Sequence, residues 1–530
     1  MARSGCTIGW SIVDRHSTRR GRRARSIPER AAVAAHPSFV VEDQSAVVDF
    51  LTKHLAPERR VDTHGAVVFL AGDRAYKLKR AVKFPYMDFS TVAIRAAMCR
   101  AEIEINHKLA PEIYLGVAAI YRSADGALAL GGVGEWRPDA VDWVVVMRRF
   151  DEDGLLDRMA GRGSLTPGLM AALGARVAAY HNRLEPVSGF SGPDDYRRSV
   201  AADIRQLREQ GDRLDEATTE ALAVALPAAL EPFIELVARR AGAGAVRRCH
   251  GDLHLRNIVL IEGQPIPFDA IEFSQRIASI DVLYDLAFAL MDLCDRDLRA
   301  LANRLLNDWL WRIDELPQAS HEEALALLPH FLSRRACVRA FVEASGAAVA
   351  GKTSEIARAY QRLALAFLRP APPRLLAIGG LSGSGKTTLA LKLAPDVGRA
   401  PGAVVVRSDV ERKRRAGVAL EDRMPAGTYT PEASARVYSA CLARAERALR
   451  AGHSVVLDAV FARADERAAA EALAVEVGVP FEGIWLDVAK DVAQARVAAR
   501  KADASDATPA VVERQFGYDL GRITWERRIA

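Results

Sequence analysis

Residues 375–387 leave little freedom to the fold around them. Leu375-Leu-Ala-Ile is a short apolar run of strand composition, and Thr388 to Ala394 reads as a helix. Between them, Gly380-Leu-Ser-Gly-Ser-Gly385-Lys386-Thr387 satisfies G-x-x-x-x-G-K-[ST] at every position. Such a loop needs glycines because backbone N–H groups must curl around phosphate oxygens. The following helix aims its positive end at the same point. Gly380, Ser382, Gly383, Ser384, Gly385 and Thr388 are the expected ATP cradle. Lys386 is expected to reach the β/γ-phosphates and Thr387 to ligate Mg²⁺. A plain Gly/Ser turn would explain the glycines but not the strand before them and the helix after.

The rest of 375–530 continues as strand–loop–helix, which predicts an α/β P-loop NTPase domain with a parallel sheet. A second strand from Ala403 ends at Asp409, and open α/β sheets bind ligands at strand C-termini. Arg412-Lys-Arg-Arg415 follows on a helix and suits an anionic acceptor. A third strand, Ser454 to Asp458, carries a candidate metal or water-orienting carboxylate in Asp458. After a fourth, Phe481 to Leu486, Arg496 and Arg500 lie four apart on one helix face, before the polar loop Asp503–Asp506. That arrangement looks like a lid closing on phosphates, although a solvated basic helix reads the same way. Over nearly all of 375–515 the chain resembles the P-loop kinases that include zeta-toxin-like, gluconate-kinase-like and polynucleotide-kinase-like enzymes. In those kinases the aspartate after the second strand orients the acceptor hydroxyl, so the resemblance makes Asp409 the candidate base.

A second centre lies at Arg247–Phe273, RRCHGDLHLRNIVLIEGQPIPFDAIEF. Ile258–Ile261 and Ile266–Phe268 read as a hairpin turning at Glu262-Gly263-Gln264-Pro265, with Asp252 and Asn257 on the entering loop and Asp269 just past the return. An alcohol is a poor nucleophile, so a carboxylate must orient it and take its proton. A triphosphate needs Mg²⁺, a hard cation that takes oxygen ligands. The D-x-x-x-x-N spacing from Asp252 to Asn257 matches a kinase catalytic loop, with Asp252 as base, Asn257 on metal and Asp269 where a second metal carboxylate belongs. HGDLHLRNIVL, FDAIEF and IDVLYDLAF together resemble the aminoglycoside phosphotransferase-like kinases, which act on small molecules. The resemblance implies a bilobal α+β kinase-like domain and makes Asp281 the brace of the catalytic loop. His181 reads as a packing or capping residue.

Upstream, Ala66–Leu70 and Arg74–Lys79 read as a hairpin around Ala71-Gly72-Asp73. Lys77 and Lys79 point to one face, and Lys77 is the chosen phosphate-gripping lysine. Helix Thr91–Leu109 offers Glu102 and Glu104 as its partner, with Glu102 preferred. No G-x-G-x-x-G precedes the hairpin, only Gly65, so phosphate cover must come from another loop. Val141–Met147 reads as the last strand of this small lobe, and periods over 167–184, 197–210, 216–240, 282–311, 321–335 and 337–367 predict a helical lobe.

The expected organisation is a disordered Arg-rich tail, 1–37, then a kinase-like domain, 38–368, with a small lobe 38–150 and a helical lobe 151–368. A stiff Pro-rich linker, 369–374, joins it to the P-loop domain, 375–530. The net charge of +6 sits in residues 1–30, where eight arginines face only Asp14 and Glu29. The rest is formally neutral and offers no case for a nucleic-acid partner. Six scattered cysteines without a C-x-x-C pair argue for a reducing cytoplasm. No apolar run is read as approaching membrane-spanning length, so no membrane partner is expected. The expected function is an ATP- and Mg²⁺-dependent phosphotransferase, a bifunctional small-molecule kinase with an alcohol acceptor. The first alternative makes the P-loop domain a nucleotide-sensing ATPase switch and the first domain a kinase-shaped binding module. A nucleic-acid end kinase comes third.

Overall fold

Alternating apolar residues between 59 and 148 build a six-stranded antiparallel sheet, one face of which carries a long helix. The computed structural model describes residues 39–84, 87–349, 354–425, 428–499 and 504–529. The tail expected over 1–37 and Arg500 lie outside the described residues. The small lobe runs α1 (Ser45–Leu55), β1 (Arg59–Asp62), β2 (Ala66–Ala71), β3 (Arg74–Lys79), α2 (Val92–His107), β4 (Tyr114–Arg122), β5 (Leu128–Leu130) and β6 (Ala140–Arg148). Its strand order is β1-β2-β3-β6-β4-β5. Thr91 caps α2 by accepting from Ile94 N, and the helix buries Cys99, Glu102 and Asn106 against the sheet. A charged residue on that face requires partners, and β3 supplies them.

The second lobe is helical apart from one hairpin and a short antiparallel ladder between 246–248 and 279–281. It contains α3 (Pro167–Arg183), α4 (Pro193–Arg208), α5 (Glu216–Leu230), α6 (Ile234–Gly242), the hairpin β7 (Ile258–Ile261) and β8 (Gln264–Pro267), α7 (Val282–Asp295), α8 (Arg299–Leu310), α9 (Leu328–Val349) and α10 (Glu355–Phe367). Glu262 and Gly263 both have positive φ (50° and 77°), the geometry of a two-residue turn that matches strand twist. The single helix expected over 282–311 is two, separated at Asp297, whose φ is 61°. The stretch Glu216–Gly242 is, against the sequence expectation, long and apolar enough to cross a bilayer by length and composition. In the fold it is interrupted by a 3₁₀ turn at Glu231–Phe233 containing Pro232, with Pro227 just before. Its Leu222, Leu226, Leu230, Leu236 and Val237 are buried in the same core as the lobe's other helices.

Downstream come β9 (Leu375–Gly380), α11 (Lys386–Leu393), β10 (Val404–Arg407), α12 (Ser408–Arg415), α13 (Pro431–Arg450), β11 (Val455–Asp458), α14 (Ala464–Val477), β12 (Phe481–Asp487), α15 (Lys490–Ala498), α16 (Pro509–Gln515) and β13 (Glu526–Ile529). The five strands form one parallel sheet, ordered β10-β11-β9-β12-β13. Two boundaries differ from the sequence reading. α11 begins at Lys386, so Lys386 and Thr387 form its first turn, and Asp409 sits in the first turn of α12 rather than on a strand end.

The helical lobe of the first domain and the P-loop sheet are in direct contact. α8 lies along β10, the outer strand of the parallel sheet. Asn307 Oδ1 accepts from Val405 N (2.7 Å), and the amide nitrogens of Asn303 and Asn307 donate to Ala403 O (2.9 and 3.2 Å). Trp311 Nε1 donates to Val405 O (2.8 Å). Residue 405 of an edge strand and residue 403 just before it point their backbone groups away from the neighbouring strand, so side chains of α8 take the place of a sixth strand.

Candidate active sites

The first centre forms where β3, α2 and the hairpin loop meet. Lys77 Nζ lies 2.8 Å from Glu102 Oε1 and 2.6 Å from Asp269 Oδ1. Lys79 also reaches Glu102, at 2.6 Å, and pairs with Glu272 in a short contact. Both lysines therefore share one carboxylate, but their surroundings differ. Lys79 is sealed inside, whereas Lys77 touches the loop carboxylate Asp269. Burial works against the charge on Lys77, yet Asp269, Glu102 and Glu272 outweigh it and raise its pKa well above the ordinary lysine value. Burial likewise opposes ionisation of Glu102, and the two lysines override it and lower its pKa. Glu104 is exposed. Glu272, inside the FDAIEF segment, was not singled out from sequence, because nothing local says that its side chain turns toward β3.

Asp252 is held by its own loop. Asn257 Nδ2 donates to Asp252 Oδ2 (2.9 Å) and to its carbonyl (3.0 Å). The amide oxygen of Asn257 takes no part in these bonds. His254 Nε2 stands 3.4 Å from the Asp252 carboxylate, whose side chain is 38% exposed. Desolvation opposes the charge, but His254 and His250 outweigh it and hold Asp252 below the usual carboxylate range. His250 Nδ1 accepts from Asp252 N (3.2 Å), so its Nε2 carries the proton donated to Phe268 O (2.9 Å). Asp269 has φ 62°, a left-handed conformation that costs a non-glycine residue energy and sets its carboxylate against Lys77.

The brace of this loop is Asp285, not Asp281. Asp285 accepts from Gly251 N (2.8 Å) and His250 N (3.2 Å), and from His181 Nε2 at 3.1 Å. His181 Nδ1 in turn accepts from Trp309 Nε1 (3.1 Å). Asp292, two turns further along α7, accepts from Leu255 N (3.0 Å). Asp281 instead caps α7 at Leu283 N (2.8 Å) and pairs with Arg240 (2.6 Å). The reason is geometric. Asp281 is the cap residue, outside the helix, whereas Asp285 and Asp292 lie on the turns that run beneath the loop.

The second centre is the loop between β9 and α11. Gly383 has φ 85°, and a Cβ there would come within 2.5 Å of Ala493 O, so α15 sits directly on the loop. Gly380, at φ 140°, would strike Leu486 O at 2.7 Å. Gly385 is the left-handed residue that starts α11. Ser384 is buried with its hydroxyl unpaired among the described residues, and Ser382 N donates to Gln515 Oε1 (2.7 Å). Lys386 Nζ donates to Leu381 O (3.0 Å), and Thr387 Oγ1 donates to Asp458 Oδ2 (2.6 Å). Thr388 is one residue further along α11. Arg496 Nη1 comes within 3.5 Å of Gly383 O.

Arg407, which sequence reasoning passed over, enters this centre from the end of β10. Its Nε is 3.3 Å from Asp458 and its Nη2 3.4 Å from Thr387 Oγ1. Burial raises the pKa of Asp409, Arg407 opposes the rise and Asp458 adds to it. The Arg412–Arg415 cluster does not act as one anionic-acceptor patch. Arg414 donates to Leu310 O and Ile313 O of the first domain (3.0 and 2.5 Å). Lys413 is buried beside Asp506 (3.3 Å).

Both centres fit Mg·ATP. The hydrogen-bonded Thr387–Asp458 pair offers hard oxygens beside a phosphate-shaped loop whose buried Ser384 hydroxyl lacks a partner among the described residues. In the first centre Asp269 and the amide oxygen of Asn257 are donors of the same kind. The sequence profile of the phosphotransferase enzyme family matches residues 95–322, and that of the AAA domain matches 375–518. The uncharacterized protein Rv2004c of Mycobacterium tuberculosis is 30% identical over 477 residues, covering 87% of this chain and 90% of its own. Among solved structures, a choline/ethanolamine kinase family protein from Mesorhizobium loti shares 14% identity at a TM-score of 0.36, over 61% of this chain and 93% of its own. The Mycobacterium tuberculosis APS kinase CysC shares 23% identity at a TM-score of 0.20, over 25% and 71%.

Proposed function

The chain belongs to the family of the mycobacterial protein Rv2004c and carries two kinase-related domains in series; from that premise we propose a phosphotransferase with two Mg·ATP sites, each acting on a small-molecule hydroxyl acceptor. The observation that carries the proposal is the first centre, where Lys77 bridges Glu102 and Asp269 beside an Asp252 already oriented by Asn257. Lys77, positioned by Glu102, grips the α/β-phosphates. Asn257 and Asp269 hold the metal, which when bound neutralises the triphosphate charge. Asp252, ionised and open to the cleft, orients the acceptor hydroxyl and takes its proton as the phosphoryl group moves. In the second centre Lys386 holds the β/γ-phosphates, and Thr387 with Asp458 holds the metal. Asp409 is the base, its raised pKa bringing it nearer working pH. Arg496, beside the loop at Gly383, closes over the phosphates and excludes water.

The test is full-length protein with ATP against a library of sugars, nucleosides and amino-alcohols. Asp252→Asn should cut first-site turnover by two decades or more, about 3 kcal/mol, with nucleotide affinity nearly unchanged. Lys386→Ala should remove one of two ATP equivalents in an equilibrium titration. Wild-type turnover in both variants would sink the proposal. The ATPase-switch alternative draws on the direct seat of α8 on β10. Fast hydrolysis without acceptor, unaffected by Asp409→Asn, would favour it over the kinase reading.

A further inference from the structure

We propose that Trp311, a residue of the first domain, is a positioning residue for the P-loop site, holding the Arg407 guanidinium against Asp458 and Thr387. This rests on the reading of that loop as a nucleotide site. The indole of Trp311 lies under Arg407, with Cζ 5.2 Å from the ring centroid. Trp311 is itself fixed at two points. Its Nε1 donates to Val405 O at 2.8 Å, two residues before Arg407 on the same face of β10. Its ring is built into the apolar core of the second domain with Leu376, Ile378, Ala390 and Val405. The first domain therefore supplies part of the second domain's interior, and that part ends at the charged centre.

The need for such a hold follows from the charges. Asp409 lies half-buried close to the Asp458 carboxylate, and the Arg407 guanidinium lies against Asp458 and the P-loop threonine. An arginine side chain has many rotamers, and only a narrow set keeps Nε at 3.3 Å from Asp458 while Nη2 stays by Thr387. A flat aromatic face attracts a guanidinium and restricts it to a parallel or edge approach, which narrows that set. The aromatic face comes from the residue that terminates α8, so the arrangement exists only while α8 is seated on β10.

Substitution in the full chain tests this. Trp311→Leu keeps an apolar filling but removes the π-face and the N–H. Trp311→Phe removes only the N–H and part of the volume. Trp311→Leu should lower P-loop-dependent turnover of ATP at least ten-fold, with the Lys386-dependent ATP Kd within about two-fold of wild type. Trp311→Phe should restore most of the loss. Combined with Arg407→Met, Trp311→Leu should add no further loss, because its effect runs through that guanidinium. A readout independent of turnover is indole emission. The difference between wild type and Trp311→Phe isolates this ring among seven tryptophans, and it should respond to Mg·ATP in wild type and stay flat in Arg407→Met. Equal losses in Trp311→Leu and Trp311→Phe, or full additivity with Arg407→Met, would overturn the inference and leave Trp311 a packing residue. Absence of any Lys386-dependent ATP binding in wild type would overturn the reading of the P-loop site, and this inference with it.

Discussion

At the scale of single residues, the first centre depends on one carboxylate that never meets substrate. Asp285 is fully buried and gathers Gly251 N, His250 N and His181 Nε2, which fixes the turn that presents Asp252. Burial opposes its ionisation, but the hydrogen bond from His181 outweighs it, with the Arg335 charge adding, and its pKa lies below the ordinary value. A depressed carboxyl contributes stability that is present above the unfolded pKa of about 3.9 and lost as pH falls through the folded one. Wild type should therefore lose stability below about pH 4, and Asp285→Asn should flatten that acid limb in pH-dependent denaturation. The amide has one acceptor oxygen fewer, so one loop N–H is orphaned at roughly 1–3 kcal/mol. First-site turnover should fall at least ten-fold while Lys386-dependent ATP binding stays intact. An unchanged acid limb with unchanged turnover would show that the brace lies elsewhere.

At the scale of elements, α8 does the work of a strand. An open sheet edge invites pairing with another chain, and natural proteins cover or blunt it. Here Asn303, Asn307 and Trp311 satisfy Val405 of β10 and Ala403 just before it with side-chain groups. Asn307→Leu would leave Val405 N without its acceptor inside a buried interface, costing roughly 1–3 kcal/mol. The expected result is a lower melting temperature and increased self-association of the variant in light scattering. Asn307 is buried and its hydrogen bonds run to Asn303, Ala403 and Val405 rather than to a candidate catalytic residue, so Kd for ATP should hold. A variant as stable and as monodisperse as wild type would mean that water or a shifted β10 repairs the edge.

At the scale of the whole molecule, the Pro-rich link is not the main connection between the domains. Arg444 of α13 reaches Glu315 and Glu322 of the first domain in short ion pairs and Glu411 of α12 at 2.8 Å. Arg312 of the first domain pairs with Glu421 (2.7 Å). With Trp311 buried in the second domain's core, neither domain can unfold without exposing part of the other. Calorimetry should accordingly show one transition, and Mg·ATP bound at the P-loop should raise all of it, by about 2.7 kcal/mol at a hundred-fold excess over Kd. Two separated transitions, with only one shifting, would show that the interface is too weak to couple them.

What the sequence determined by itself was local chemistry at fixed spacing. G-x-x-x-x-G-K-T between a strand and a helix, and Asp252 to Asn257 ahead of a hairpin, are short-range patterns whose backbone geometry is set by neighbouring residues. They were legible for that reason, as were the two kinase-related domains and the parallel sheet of the second. The identity of the loop brace was not. Asp281 and Asp285 differ only by one helical turn, and which of them faces the loop depends on where α7 starts relative to a segment thirty residues upstream. Glu272, Arg407 and Trp311 were silent for the same physical reason. A charged or aromatic residue acquires its partner only when distant elements pack, and burial in that packing makes the pairing strong. The seat of α8 on β10 was likewise a tertiary decision, since an amphipathic helix records that it has a buried face but not what lies against it.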